Sequence, residues 1–295
     1  MRLNFKMLTY GAAALTGMLF IPSCTNDDGI KPGDGAQIEE RGLTSGAPVN
    51  TALIGLSPAN ELVNLMSGPP VSEVSRVPII NLRPEENLLA IDTRPKTKEL
   101  FGISDQSILY KLDPATGDAV AVSGTPITPA IEGSLVGFDF SPIDDMIRLV
   151  TDKGQALRIS PITGAVVGVD ILFNPSLNPI NSIAISYATP TWRSTLYDLD
   201  ATNGNLYRQS SANGGSLVYI GATGFSFTGE GGFEITSSNT AFAVQFGKSR
   251  YGGTFGTIGY DDITQDSYRL YTINLRSGQA TSYGKVAPLI GLAAK

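Results

Sequence analysis

The chain has 295 residues, 42% hydrophobic and 16% charged, with 33 glycines, 18 prolines, one cysteine, a net charge of −6 and no histidine. That length buries a large core, the glycine and proline content suits a turn-rich β protein, and the acidic balance offers no basic footprint for nucleic acid or an anionic membrane surface. The lack of histidine excludes Ser-His-Asp and Cys-His catalysis, histidine proton shuttles and histidine-ligated metals, leaving oxygen-ligand ions such as Ca²⁺ or Mg²⁺.

In chain order, residues 1–24 carry Arg2 and Lys6, then an apolar run from Met7 to Ile21, then small residues up to Cys24. The run is short for a membrane span and reads as a secretory signal. Its ending, "IPSC", resembles a bacterial lipobox, with Pro22 where a small residue is usual. The resemblance implies that Cys24 is diacylated and begins the mature chain. Residues 25–50 are polar, acidic and rich in Gly and Pro, the composition of a disordered tether. An acidic stretch behind such a cysteine resembles lipoproteins of Bacteroidetes-type bacteria. The expected location is therefore the outer membrane, periplasmic or surface-exposed, with the lipid as the only membrane contact.

From residue 51 onward one unit repeats. "LAID", "VGFD", "IAIS", "GGFE" and "IGLA" end at residues 92, 139, 186, 234 and 293, with spacings of 47, 47, 48 and 59. Each has a small residue second and a large apolar residue third. Side chains alternate faces along a strand, so each of these strands has a bulky face and a small or polar one. The second unit shows the internal order: "LVGFDFSP", "IRLVTDKG", "QALRISPITG" and "AVVGVDI" are four short strands divided by turn residues, an antiparallel meander. The turns Pro114–Gly117 and Pro161–Gly164 combine a Pro that fixes φ with a Gly free to turn left-handed. No later stretch has helical periodicity of useful length. Repeated four-stranded units of this size predict an all-β fold, a five-bladed β-propeller over residues 51–295. "TALIGLS" and "ELVNLMSG" match second and third strands with no first strand before them, so the C-terminal "PLIGLAAK" is expected to complete that blade and close the ring. The extra length at Gly247–Ser267 predicts a long hairpin loop on one rim. A six-bladed ring with a degenerate N-terminal blade and a β-sandwich remain as alternatives.

The runs "LLAIDTRPKTKELFGI…LYKLDPATGDA", "GFDFSPIDDMIRLVTDKGQALRISPITGA" and "LYDLDATNGNLY" resemble a bacterial domain-of-unknown-function family, number 4394, over roughly residues 51–295. Asp92, Arg94, Pro95, Asp139, Pro142, Asp145, Arg148, Arg158 and the Leu-Tyr pairs match its pattern. Thr93 departs from it where an aromatic is usual, as do Ser141 and Ala156 where Asn is usual. The family carries no assigned activity, so the resemblance implies the propeller fold and leaves function open.

The most suggestive constellation is the fourth position of the repeated strand: Asp92, Asp139, Ser186, Glu234 and Ala293. Carboxylates at equivalent inner-strand positions point to convergence on a central channel. Asp92, Asp139 and Glu234 could serve as acid and base or nucleophile, as the Asp/Asp/Glu trio of five-bladed propeller glycosidases does, or with Ser186 as oxygen ligands for Ca²⁺. The bland alternative has them accepting backbone N–H groups from the next blade, with Arg94 or Arg148 as clamps. Asp144–Asp145, Asp198/Asp200 and Asp261–Asp262 read as solvated turns. Arg148 and Arg158 are either a rim anion site or in-sheet salt bridges. Tyr110, Tyr197, Tyr207 and Tyr271 read as inter-blade packing, whereas Trp192 and Tyr260 are the aromatic recognition candidates, with Tyr251 and Phe255.

Two functions fit these residues. The leading expectation is a tethered, non-enzymatic binding domain for a protein or glycan of the cell envelope, with no required cofactor and no nucleic acid partner. The rival is an extracellular glycoside hydrolase or lactonase-like enzyme acting through Asp92, Asp139 and Glu234, with Ca²⁺ as its one candidate cofactor.

Overall fold

The structure, a computed structural model, describes residues 50–170, 180–185, 194–200, 203–211, 213, 216–224, 227–247 and 267–295. Among the described residues every regular element is a strand. The chain opens with β1 (Ala52–Leu56), β2 (Glu61–Met66) and β3 (Ser72–Pro78). The second blade is β4 (Leu88–Thr93), β5 (Leu100–Ser104), β6 (Leu109–Leu112) and β7 (Ala119–Ala121). The third is β8 (Val136–Phe140), β9 (Ile147–Thr151), β10 (Ala156–Ile159) and β11 (Val166–Val169). The fourth is β12 (Ile180–Ile185), β13 (Leu196–Asp200), β14 (Asn205–Gln209) and β15 (Leu217–Ala222). The fifth is β16 (Phe227–Ile235), β17 (Ala241–Gly247), β18 (Ser267–Ile273) and β19 (Ala280–Lys285), and β20 (Gly291–Ala294) ends the chain.

Five four-stranded antiparallel sheets result, and the first has the order β20-β1-β2-β3. β20 pairs with β1 from Leu53↔Ala294 to Leu56↔Gly291, so the last strand completes the blade that the chain opened without an inner strand. β4, β8, β12, β16 and β20 follow one another around the axis, and the ring leaves no inner edge open. The six-bladed and sandwich alternatives are excluded by this topology.

Crowding at the axis explains the small second residue of each inner strand. A Cβ on Gly232 would lie 2.5 Å from the Leu292 amide nitrogen of β20. The bulky third residues face between blades. In the seam between the second and third blades Phe138 and Phe140 join Phe101, with Phe101 and Phe140 edge-on at 5.2 Å. Each such buried side chain stabilises by about 1.5–3 kcal/mol relative to exposure. The hairpin turn 113–118 closes through Gly117 N–H donating to the Asp113 carbonyl at 2.8 Å. Gly117 has φ +77°, and a Cβ there would collide with the Pro78 carbonyl at 1.9 Å, so the repeated turn glycine is both a conformational and a packing requirement.

Candidate functional site

Asp92 and Glu234 lie near the C-terminal ends of β4 and β16, the two inner strands that flank β20. The equivalent position on β20 is Ala293, whose short side chain leaves a gap between them. Across that gap the two carboxyl groups hydrogen-bond to each other. Two carboxylates cannot share a hydrogen bond without a proton, so the pair holds one. Each also reaches a backbone group of the next blade. Asp92 Oδ2 accepts from Phe140 N–H at 2.7 Å and Oδ1 from Thr93 N–H at 2.6 Å, while Glu234 accepts from Ala294 N–H. The pair therefore laces β16, β20, β4 and β8 together at the hub.

Burial pushes the Asp92 carboxyl up to about 7, against the pull of the Phe140 and Thr93 amides. Glu234 is pushed well above the usual carboxylate range, first by burial and then by the charge of Asp92, with Lys98 and the Ala294 amide opposing. Asp139, also buried, sits opposite Arg148 in the β8–β9 register. Among the described residues no group of three Asp, Glu or Cys side chains is placed to hold a metal ion, so Asp92, Asp139 and Glu234 do not assemble into the expected calcium trio there. Residues 90–91, 136–138, 231–233 and 290–292 of the inner strands and the turn before β20 line a small cavity.

The arginines are clamps, and their salt bridges run to Asp144, Asp145 and Asp170. Arg94 is buried and grips Asp145 of the following blade, its Nε donating to Oδ1 at 2.8 Å and its Nη2 donating to Oδ2. Asp145 stands in the left-handed region at φ +60°, and the Arg94 guanidinium holds its carboxyl below the ordinary value. Arg148 Nη2 donates to Asp144 Oδ2 at 2.7 Å, and its Nη1 donates to Asn213 Oδ1 at 2.5 Å and Asp170 Oδ2 at 3.3 Å. Arg158 Nε donates to Asp170 Oδ1 at 3.0 Å. Of the two readings for Arg148 and Arg158, the structure shows salt bridges, and Asp144 and Asp145 stand in a turn, Asp144 exposed and Asp145 partly so, each also paired with an arginine. The four recurrent tyrosines are buried between blades. Tyr110 donates to Glu86, which also accepts from Ser104, and burial raises the Tyr110 hydroxyl to about 12. Ser186, Trp192, Tyr251, Phe255, Tyr260, Asp261–Asp262 and the rest of the long loop over residues 248–266, and Cys24 with residues 25–49, lie outside the described residues.

Asp198, read as a turn former, belongs to the interior, whereas Asp200 is buried and does open a turn, its Oδ1 accepting from Asn203 N–H at 3.4 Å and its carbonyl from Gly204 N–H at 2.9 Å. Asp198 and Asp200 point to one side of β13 and are fully buried. Their alternation with Tyr197 and Leu199 is the available signal, but in an isolated strand it marks a solvent face. In a middle strand of a blade both faces are covered, so the polar face meets the neighbouring blade. Burial pushes the Asp198 carboxyl up to about 7, with the Gln209 amide opposing.

No curated protein sequence matches the chain. Among solved structures, virginiamycin B lyase from Staphylococcus aureus is similar at 11% identity and a TM-score of 0.43, over 81% of this chain and 73% of that one. A protein of unknown function from Bacteroides thetaiotaomicron matches at 11% identity and a TM-score of 0.45, over 82% of this chain and 59% of the other. A GH43 glycoside hydrolase engineered for endo-xylanase and exo-arabinofuranosidase activity matches at 12% identity and a TM-score of 0.51, over 82% of this chain and 53% of its own. The chain thus spans about half of that hydrolase, and the likeness is one of fold. The sequence profile of the Domain of unknown function (DUF4394) matches residues 61–293, nearly the whole ring, and the chain belongs to that family.

Proposed function

We propose that the chain is an extracytoplasmic binding domain, tethered through Cys24 to a bacterial outer membrane, which recognises a protein or glycan of the cell envelope with its rims and blade edges. The observation that carries this reading is the inward commitment of the polar groups suited to chemistry. Asp92 and Glu234 hold each other, Arg94 holds Asp145, and Arg148 and Arg158 hold Asp144 and Asp170. Glycosidase carboxyl pairs stand about 5–9.5 Å apart to flank a scissile bond. A direct hydrogen bond brings Asp92 and Glu234 closer than that.

What remains outward is apolar surface on two adjoining blades. Six of the nine exposed large hydrophobic residues among those described are Ile143, Ile162, Val167, Val169, Val218 and Tyr219, all in the third and fourth blades. Exposed apolar residues on outer strands, where backbone groups are also free to pair, suit partner recognition. The test is crosslinking of the tethered protein in its native envelope, comparing wild type with V167E/V169E and with a deletion of residues 248–266. Capture lost in either variant at unchanged thermal stability supports the reading. Turnover of a glycan or lactone panel that is abolished in E234Q would replace it with the enzymatic one.

A further inference from the structure

Four of the five seams between blades are filled by continuous apolar clusters. The seam between the third and fourth blades differs. Among the described residues its apolar content is Val150 and Ala156 with Leu217 packed against them, together with Tyr207, which stands opposite Asp198 in the β13–β14 register and meets Tyr219 edge-on at 5.7 Å. Tyr197 and Leu199 face the fifth blade, so Asp198 and Asp200, on the other side of β13, face this seam. Leu217 pairs with Gln209, whose Nε2 donates to Asp198 Oδ1 at 3.1 Å, which fixes the side on which Asp198 lies.

Among the described residues this seam also carries charge. Arg148 and Arg158 are taken up by Asp144 and Asp170. Asp198 has no exposed surface, and its Oδ2 has no hydrogen-bond partner. A buried carboxylate with neither countercharge nor donor on one oxygen is strongly unfavourable. A buried water satisfies the oxygen but leaves the charge, and a proton on Oδ2 removes the charge but leaves a buried O–H with no acceptor.

We infer that Asp198 Oδ2 is a ligand of an oxygen-seeking cation, of the calcium or sodium class, seated between the third and fourth blades. Asp200 stands two residues along the same strand face as a second carboxylate. The Gln209 amide, turned about its terminal bond, presents Oε1 in place of Nε2 as a neutral oxygen ligand. Hard cations take such carboxylate and amide oxygens. The site is separate from the hub pair, because Asp198 lies on a middle strand and faces a seam.

The experiment uses the full-length protein, stripped with chelator and titrated with CaCl₂ or NaCl at constant ionic strength. A calcium site with few protein ligands is expected to bind at about 10⁻⁴–10⁻³ M. At a hundredfold excess of ion the Tm should rise by about 5–10 °C, and D198N should abolish the rise. Hydrogen exchange on the wild type supplies a readout that needs no variant: ion-dependent slowing should centre on residues 196–209. A response to neither ion, a response that survives D198N, or slowing confined to peptides containing Asp92 or Glu234 would overturn the inference.

Discussion

Replacing Glu234 by glutamine tests the hub at its proton. Gln keeps the shape of Glu, donates permanently to Asp92 and still accepts from Ala294 N–H, so E234Q mimics the protonated half of the pair at every pH. In the wild type both folded carboxyls are raised, and Asp92 moves from 3.8 to about 7. Between those values the folded chain holds a proton that the unfolded chain has lost, so stability falls as pH rises, by about 1.4 kcal/mol per unit for one proton. The Asp92 contribution is fully present below about pH 4 and is lost as pH rises through about 7, while that of Glu234, raised well above the usual carboxylate range, is lost only as pH rises through its own raised value. Over that window the difference amounts to at most about 4 kcal/mol, or a Tm difference near 10 °C for a domain of this size. Urea or thermal unfolding followed by circular dichroism from pH 4 to 9 should show E234Q no more stable than wild type at pH 4 and clearly more stable at pH 8. Parallel profiles for the two proteins would refute the shared proton.

Further outcomes follow from the same geometry. G232V drives a branched side chain into the Leu292 backbone, and should destabilise by about 2–4 kcal/mol in denaturant unfolding. F140A empties the Phe101–Phe140 contact and should cost about 3–5 kcal/mol. R94M removes the partner that lowers Asp145, a contribution present above the ordinary Asp value and lost as pH falls. Its destabilisation should therefore be largest at neutral pH and shrink toward pH 3, a loss of about 1–3 kcal/mol given that Asp145 is partly exposed. V167E/V169E should leave unfolding within about 0.5 kcal/mol of wild type, because both side chains are exposed, while removing partner capture.

The ring is legible in the sequence because two physical demands recur at fixed spacing. The axis requires a small residue, seen where Gly232 meets Leu292, and each seam requires a bulky one, seen in Phe138 and Phe233. The missing first strand before "TALIGLS" likewise announces β20. Asp92 and Glu234 are legible as a position, but not as a pair. Their contact depends on the short side chain at Ala293 and on the extra methylene of Glu234, a relation across three strands that no local pattern expresses. The Arg94–Asp145 clamp spans 51 residues and joins loops of adjacent blades, so a same-strand partner such as Asp92 is the natural but incorrect choice. Asp198 passes for a turn residue, and the burial of Asp200 goes unread, because alternation reports two faces without saying what covers each one.

The most direct test of the hub is a carboxyl ¹³C NMR titration of Asp92 and Glu234. The structure predicts linked transitions, with Asp92 near 7 and Glu234 well above the carboxylate range. Two independent transitions near the ordinary value of about 4 would show carboxylates open to solvent and apart, contradicting a hub built on a shared proton.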